Sequence, residues 1–271
     1  MSQYAVIGNP VKHSKSPQIH SLFAQQTGRV VEYTAVTLEA GEVDAFVKDF
    51  FASGGAGLNV TVPYKGKAFE LAASCSQAAR LAQAVNTLLL DDAGRLRGAN
   101  TDGFGLVRDI KVNHRVEIAD RRVLILGAGG AVAGALAALV REKPALITIA
   151  NRTVSKAVQL KTQFEKLANI SAVGFEQLDD TGYDLVINGT SLSLEHKLPP
   201  LNQEILAPAC CCYDMMYADS DTVFVSWAKA NGATLALDGL GMLVEQAAAV
   251  FEIWHGVRPQ TDAVITQLRS P

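Results

Sequence analysis

Eighteen consecutive residues, Val123 to Val140, carry no charge. Length alone would admit a membrane span, which needs about 20 predominantly apolar residues. The interior of the stretch argues against one. Glycines at 127, 129, 130 and 134, with alanines between them, suit a buried strand, a tight turn and a helix. The order is Val123-Leu-Ile-Leu, then Gly127-Ala-Gly-Gly, then an Ala-rich run. Glycine lets the backbone turn sharply and approach a pyrophosphate, and the helix start offers free N–H groups at the positive end of its dipole. Gly127, Ala128, Gly129, Gly130 and Ala131 are therefore candidate nucleotide-binding residues. The fingerprint G-x-G-x-x-G/A is imperfect, because Val132 stands at its third position. Taken alone, the motif also fits a tight turn that binds nothing.

The end of the next strand narrows the choice. There an NAD-binding fold places a carboxylate for the ribose hydroxyls. This chain has Asn151-Arg152-Thr153, with Ser155 and Lys156 on the following turn. A carboxylate would repel a 2′-phosphate, whereas a guanidinium grips it bidentately and an ammonium adds charge. Cations at a helix N-terminus oppose the dipole, so a bound anion gives them a reason. The cofactor predicted from these residues is NADP.

Composition excludes other classes. Hydrophobic residues make up 49% of the 271 and charged residues 19%, enough for real cores. The 24 basic and 27 acidic residues leave a net charge of −3 without long blocks, so no basic patch invites nucleic acid and no basic amphipathic stretch invites a membrane. Residues Met1 to Asn9 lack the layout of a signal peptide. Cys210, Cys211 and Cys212 are consecutive in an apolar run, and Cys75 stands alone. Neighbouring strand residues point to opposite faces, so the three cannot ligate one metal, and no C-x-x-C pair is present. They read as small core residues, no metal is expected, and the expected compartment is the cytoplasm.

Strand-like and helical runs alternate, which predicts an α/β class with mostly parallel sheets. In the first half, strands are expected at 3–7, 33–38 and 57–62, and helices at 16–27 and 43–52. Ser16 is expected as N-cap with Pro17 as the first helical residue. The runs 84–90 and 95–98, separated by Asp-Asp-Ala-Gly, predict an antiparallel hairpin. A helix follows Asp102 to about Val112, and a polar connector, 113–120, precedes a second α/β series that ends in two helices at 242–254 and 262–268.

Two residues suggest chemistry. Lys65 follows Asn59-Val-Thr-Val-Pro-Tyr, and Asp102 lies in Asn100-Thr-Asp-Gly before a long helix. Both sit among hydrogen-bonding residues. Hydride transfer between a secondary alcohol and nicotinamide needs a proton relay at the alcohol oxygen, which a Lys–Asp pair could supply. A surface lysine and a helix-capping aspartate fit the pattern equally well.

Eight motifs, in order along nearly the whole chain, give it a resemblance to the shikimate dehydrogenase family. They are Gly8-Asn-Pro with His13-Ser-Lys-Ser-Pro17; Asn59-Val-Thr-Val-Pro-Tyr-Lys65; Ala84-Val-Asn-Thr-Leu88; Asn100-Thr-Asp-Gly103; Gly127-Ala-Gly-Gly-Ala131; Asn151-Arg-Thr153; Tyr213-Asp-Met-Met-Tyr217; and Asp238-Gly-Leu-Gly-Met-Leu-Val-Glu-Gln246. The resemblance implies reversible reduction of 3-dehydroshikimate to shikimate with NADPH. It implies that Ser14 and Ser16 bind the substrate carboxylate, and that Asn59, Thr61, Asn86, Asp102 and Gln246 bind ring hydroxyls, with Tyr217 nearby. Lys65 would be the general acid/base and Asp102 its partner. Residues 127–131 and 151–156, with the backbones near Thr190, Met215 and Gly239, would hold NADP. It further implies a substrate domain over 1–102, a Rossmann-type NADP domain over 103–238, and C-terminal helices over 239–271 that return to the first domain.

The chain departs from the family pattern at Ala99, usually Asp, at Ala133, usually Arg, and over 192–200, which lacks the usual glycines. None of these touches the expected reacting pair. The expected partner is a small-molecule substrate, and the expected state a monomer or homodimer. Rival readings are a quinate/shikimate dehydrogenase paralogue, disfavoured by Arg152 and Lys156; methylenetetrahydrofolate dehydrogenase, which leaves Ser14, Ser16, Asn86 and Asp102 unexplained; and a non-catalytic NADP(H)-sensing protein, disfavoured by an intact Lys65 and Asp102.

Overall fold

The computed structural model describes residues 2–178 and 182–269, the Leu194 side chain excepted. The chain divides into two compact units, Met1–Gly105 with Val244–Pro271, and Leu106–Leu243.

The first unit opens with β1 (Ser2–Gly8), α1 (Ser16–Thr27), β2 (Val31–Thr37), α2 (Val43–Ala52) and β3 (Gly55–Val60). Then come α3 (Lys65–Leu71), β4 (Ser74–Cys75), α4 (Gln77–Ala82), β5 (Thr87–Leu90) and β6 (Leu96–Ala99). The strand order is β2-β1-β3-β5-β6-β4. β1 pairs in parallel with both β2 and β3, whereas β5 runs antiparallel to β3 and β6. The sheet is thus mostly parallel, with the predicted hairpin supplying its one reversed strand. Alternation along the strands sends Ala5, Ile7, Leu58 and Val60 into a core with Val43, Val47 and Leu88. Tyr4 and Val6 face the other way. In register, Tyr4 pairs with Tyr33 and Val6 with Asn59, so alternation puts the Tyr33 and Asn59 side chains on that second face.

The second unit contains β7 (Arg122–Leu126), α6 (Gly130–Leu139), β8 (Leu146–Ala150), α7 (Val154–Phe164) and β9 (Ile170–Val173). β10 (Tyr183–Asn188), β11 (Leu206–Asp214), α8 (Val223–Ala230) and β12 (Leu235–Leu237) complete it. All its strand pairs are parallel, in the order β12-β11-β10-β7-β8-β9. Counted from β7, that is the 3-2-1-4-5-6 order of the doubly wound dinucleotide fold, whose switch point lies between β7 and β10. A helix α5 (Asp102–Arg108), continued by a π-helical turn at Asp109–Asn113, and a helix α9 (Leu240–His255) carry the chain across the unit boundaries; α10 (Asp262–Arg269) ends it.

Local expectations changed at two places, and the reading of the cysteines as core residues held. The helix expected to begin after a Ser16 cap begins at Ser16 itself, with Lys15 at the N-cap position and no side-chain cap there. The first helical N–H, that of Ser16, is instead taken by the Ser14 hydroxyl at 3.2 Å. Helices α3 and α4 have no counterpart in the pattern reading. They are only 7 and 6 residues long, too short to show a helical period. The three consecutive cysteines sit in β11 and are buried; burial pushes the Cys211 thiol up to about 12.

Candidate active site

In the first unit a strand end, a loop and a helix start bring the Lys65 and Asp102 side chains together. β3 ends at Val60, and α3 begins with Lys65 four residues after Thr61. α5 begins with Asp102, whose backbone N–H is held by Asn100 Oδ1 at 3.0 Å. Lys65 Nζ donates to Asp102 Oδ2 at 2.7 Å, with side chains 15% and 7% exposed. The other carboxylate oxygen of Asp102 accepts from Asn86 Nδ2 at 2.9 Å. A charge-assisted bond in so dry a place is short and directional.

Asn86 is the junction of this cluster. Its amide nitrogen also donates to Thr101 Oγ1 at 2.9 Å and to Gln246 Oε1 at 3.3 Å. Its amide oxygen accepts from Thr101 N at 3.1 Å and Thr87 Oγ1 at 2.8 Å. Asn59 Nδ2 joins through the Asn86 carbonyl at 3.1 Å and Thr87 Oγ1 at 3.4 Å. Ser14 donates to Ser16 at 3.1 Å. Thr61 follows β3, its N–H bonded to the Ile7 carbonyl at 2.9 Å. Eight of the nine expected substrate residues thus fall in the first unit; Tyr217 falls in the second.

Three residues of this cluster were absent from the expected site. Tyr33 OH donates to Asn59 Oδ1 at 2.7 Å; Thr87 and Thr101 close the net around Asn86. Thr87 and Thr101 lie inside motifs quoted for the resemblance, but nothing in the pattern around Tyr33 marks it out. Its partner is 26 residues away, and only sheet register brings them together.

In the second unit the turns carrying Gly127, Thr190, Met215 and Gly239 meet near the switch point, and residues 151–156 follow β8. Gly127 has φ +104°, a conformation open to glycine and strained for other residues. A Cβ on Gly127 would also lie 3.1 Å from the Gly189 backbone and 3.3 Å from the Thr190 side chain. Among the described residues, a Cβ on Gly129 or Gly130 would meet nothing within 4 Å beyond its own neighbours in the chain and helix. Packing does not require glycine there, whereas a close ligand would. Val132 at the third fingerprint position is fully buried. The close packing a third glycine would give is supplied from across the turn: a Cβ on Gly189 would lie 2.4 Å from Val132 Cγ2. Gly239 likewise abuts the Met215 carbonyl, 2.4 Å from where its Cβ would be.

A buried carboxylate ties these turns together. Asp214 accepts from Ser193 and Thr222 hydroxyls at 2.7 Å each, from Asn188 Nδ2 at 3.1 Å and from Met216 N at 3.0 Å. Burial pushes its pKa up, against the pull of those donors. Asn188 Oδ1 in turn accepts both the N–H and hydroxyl of Thr190, at 3.1 and 2.7 Å. Beyond β8, Arg152, Thr153, Ser155 and Lys156 are exposed, and Asn151 Nδ2 bonds the Thr153 carbonyl at 2.9 Å. Lys197 and, more weakly, Arg152 hold the Glu195 carboxyl below its usual range.

Family models match the chain in three stretches: a shikimate dehydrogenase substrate-binding domain over residues 6–88, a shikimate/quinate 5-dehydrogenase over 110–198, and a shikimate 5′-dehydrogenase C-terminal domain over 239–269. A relative from Alkalilimnicola ehrlichii, named shikimate dehydrogenase (NADP(+)), is 54% identical over 267 residues, covering 98% of each chain. The chain belongs to the shikimate dehydrogenase family.

Solved structures agree. An Ael1 enzyme from Pseudomonas putida superposes with a TM-score of 0.93 at 45% identity, covering 100% of this chain and 99% of that one. Shikimate 5-dehydrogenase from Thermus thermophilus, in complex with NADP(H) and shikimate, superposes with a TM-score of 0.87 at 29% identity over 99% of each chain. Within the shikimate dehydrogenase family, this chain's Gly turn fits a dinucleotide by its own geometry. Gly127 has the backbone the turn needs, Gly129 and Gly130 leave room for close approach, and the N-terminus of α6 supplies N–H donors. Among the described residues, no group of three or more His, Cys, Asp or Glu is arranged to hold a metal, and no helix is long and apolar enough to cross a membrane.

Proposed function

We propose that this chain catalyses the reversible NADPH-dependent reduction of 3-dehydroshikimate to shikimate, with Lys65 moving the proton and Asp102 positioning it. The observation that carries this reading is the 2.7 Å Lys65–Asp102 pair, with Asn86 locking the second carboxylate oxygen. Bound NADP(H) supplies or takes the hydride. As the keto carbon gains hydride, its oxygen becomes an alkoxide that needs a proton, and Lys65 Nζ is the donor; in the reverse direction it accepts. Asp102 stabilises the ammonium and fixes its direction. Asn59, Thr61, Asn86 and Gln246 suit the ring hydroxyls of such a substrate, and Ser14 and Ser16 its carboxylate. Tyr217 completes the substrate set.

For the cofactor, residues 127–131 would hold the pyrophosphate, and Asn151, Arg152, Thr153, Ser155 and Lys156 the 2′-phosphate end. Thr190, Met215 and Gly239 would contact the nicotinamide end through backbone groups. We assign substrate binding to 1–102, cofactor binding to 103–238, and support of the substrate domain to 239–271. The test follows the absorbance of reduced cofactor, with shikimate or quinate crossed against NADP⁺ or NAD⁺. Turnover only with shikimate and NADP⁺ supports the assignment; turnover with quinate at equal efficiency, or none at all, sinks it. Lys65→Ala should lose about 10²–10⁴-fold in kcat while retaining shikimate binding, the usual range for a proton-transfer group. A kcat within about threefold of the parent, under ~1 kcal/mol of barrier, would remove Lys65 from this role.

A further inference from the structure

The Asp214 carboxylate lies fully buried at the end of β11, and neither the substrate set nor the cofactor set includes it. Its Oδ1 accepts from Asn188 Nδ2 at 3.1 Å and from the Met216 N–H at 3.0 Å. Its Oδ2 accepts from the Ser193 and Thr222 hydroxyls at 2.7 Å each. Each oxygen thus serves two donors, one for each lone pair. Two of the donors lead directly to the turns beside Gly127. Asn188 turns its amide nitrogen to the carboxylate, so its Oδ1 faces Thr190 and accepts that residue's N–H and hydroxyl at 3.1 and 2.7 Å. The reverse setting of the amide would bring two oxygens together at Asp214 and two N–H groups together at Thr190. On the other side, the Met215 N–H donates to the Asn188 carbonyl at 2.9 Å, and the Gly239 N–H to the Met216 carbonyl at 3.0 Å. A Cβ on Gly127 would lie 3.3 Å from the Thr190 side chain, and one on Gly189 3.1 Å from the Met215 sulfur. The turns 189–190 and 215–216 therefore meet beside the Gly127 turn, tied to one carboxylate.

We propose that Asp214 is a positioning residue for the cofactor, fixing through Asn188 and Met216 the backbone of the two turns assigned above to the nicotinamide end. The proposal rests on that cofactor reading. Being fully buried, Asp214 acts through its donors rather than on a ligand. Thr222 belongs to the fold, since its Oγ1 also accepts the Val225 N–H at 3.2 Å as the cap of α8. Ser193 extends the device. It sits in the short 3₁₀ turn Leu192–Glu195, within the stretch that lacks the usual glycines, and its hydroxyl fastens that turn to the same carboxylate. Hydride transfer is sensitive to position, because a displacement of about 1 Å can cost about 10²-fold in rate. Removing the carboxylate leaves Asn188 Nδ2 and the Met216 N–H without this acceptor in a dry interior, and the turns must shift to satisfy them.

The test compares the parent with Asp214→Ala, Asp214→Asn and Ser193→Ala, measuring Kd for NADP⁺ and for shikimate, kcat at saturation, and Tm. Asp214→Ala should raise the NADP⁺ Kd about tenfold, the scale of one unpaired buried donor, and lower kcat about tenfold as the turns shift. Its shikimate Kd should stay within about threefold, since eight of the nine candidate substrate residues lie in the first unit. Asparagine keeps an oxygen for Asn188 and Met216 and turns its NH₂ to the two hydroxyls, which can rotate to accept. Asp214→Asn should therefore bring the NADP⁺ Kd back to within about threefold of the parent while leaving Tm lowered. A group that only holds the fold would lower Tm and leave the affinities and kcat of the folded protein as they were. An NADP⁺ Kd and kcat for Asp214→Ala within about twofold of the parent overturn the proposal, whatever the Tm, and so does an equal loss of affinity for both ligands. Should Asp214→Ala fail to fold, Ser193→Ala decides, because it leaves the other donors in place. There, an NADP⁺ Kd raised about threefold with shikimate binding unchanged supports the proposal, and an unchanged NADP⁺ Kd overturns it. A parent that does not bind NADP⁺ removes the cofactor reading and this proposal together. A parent that binds it, with an indifferent Asp214→Ala, removes this proposal alone.

Discussion

Burial holds the His20 imidazole down to a pKa of about 3, and the nearby His255 adds a smaller push in the same direction. The side chain is fully buried, between Tyr33 and Phe251 on its faces and Phe23 at its edge. Among the described residues, neither ring nitrogen has a hydrogen-bond partner. Such a histidine is neutral when folded and titrates near 6.5 when unfolded. Its folded pKa is depressed, so the unfolded chain takes up the proton first as pH falls. Stability is therefore full above about pH 6.5 and is lost progressively toward about pH 3. Between pH 7 and pH 5 the loss should be about 2 kcal/mol, from the ~1.4 kcal/mol per pH unit of one proton. Urea denaturation across that range checks it. His20→Phe, which keeps the stacked packing, should flatten the dependence by that amount; an unchanged slope would show that other groups set it.

At the scale of elements, the turn after β7 and the turn after β10 share one close contact that the dinucleotide fingerprint usually assigns to a single glycine. Val132 fills the third fingerprint position, and Gly189 makes room for it, with a hypothetical Cβ only 2.4 Å from the valine methyl. The Met215 sulfur stands 3.1 Å from the same point, so little around it can yield. Gly189→Ala should destabilise the chain by about 1–3 kcal/mol, the usual cost of overpacking a core, and weaken NADP⁺ binding by shifting Thr190. Val132→Ala in the same chain restores a small residue at the position where the fingerprint has one. The double variant should therefore be more stable than the two single effects summed. Denaturant titrations of the four proteins give the cycle, and simple additivity would show that the two turns do not share this contact.

At the scale of the whole molecule, the candidate cofactor residues lie in the second unit and every candidate substrate residue but Tyr217 lies in the first, so each unit should answer mainly to its own ligand. A ligand that binds the native state stabilises it by about 2.7 kcal/mol at a hundred times its Kd. Hydrogen exchange resolves where. NADP⁺ should protect the segments 127–134, 151–157 and 187–191, and shikimate the segments 14–20, 59–65, 84–88 and 99–104. Protection of the first group by shikimate alone, at saturation and without cofactor, would contradict the assignment of the two sets.

Much of this molecule is written in short-range pattern, because strand alternation, glycine turns and long amphipathic helices are local physics. Residues 123–126 read as a strand, 43–52 as a helix, and 84–98 as a hairpin, and the structure forms each within a few residues. The Gly127 turn needed only its neighbours to be seen, since a positive φ is a property of one residue. Local pattern ran out where partners come from far along the chain. The hydroxyl of Ser14, not Ser16, takes the first N–H of α1, and two serines flanking Lys15 offer the pattern no way to choose. The proximity of Lys65 to Asp102, 37 residues on, was suggested by motif order, but their 2.7 Å bond and the Asn86 lock exist only once β3, β5 and β6 pair. Tyr33 and the compensation of Val132 by Gly189 lay beyond the reach of pattern altogether. Sheet register and the meeting of two turns decide those contacts, and both follow from the packed chain as a whole.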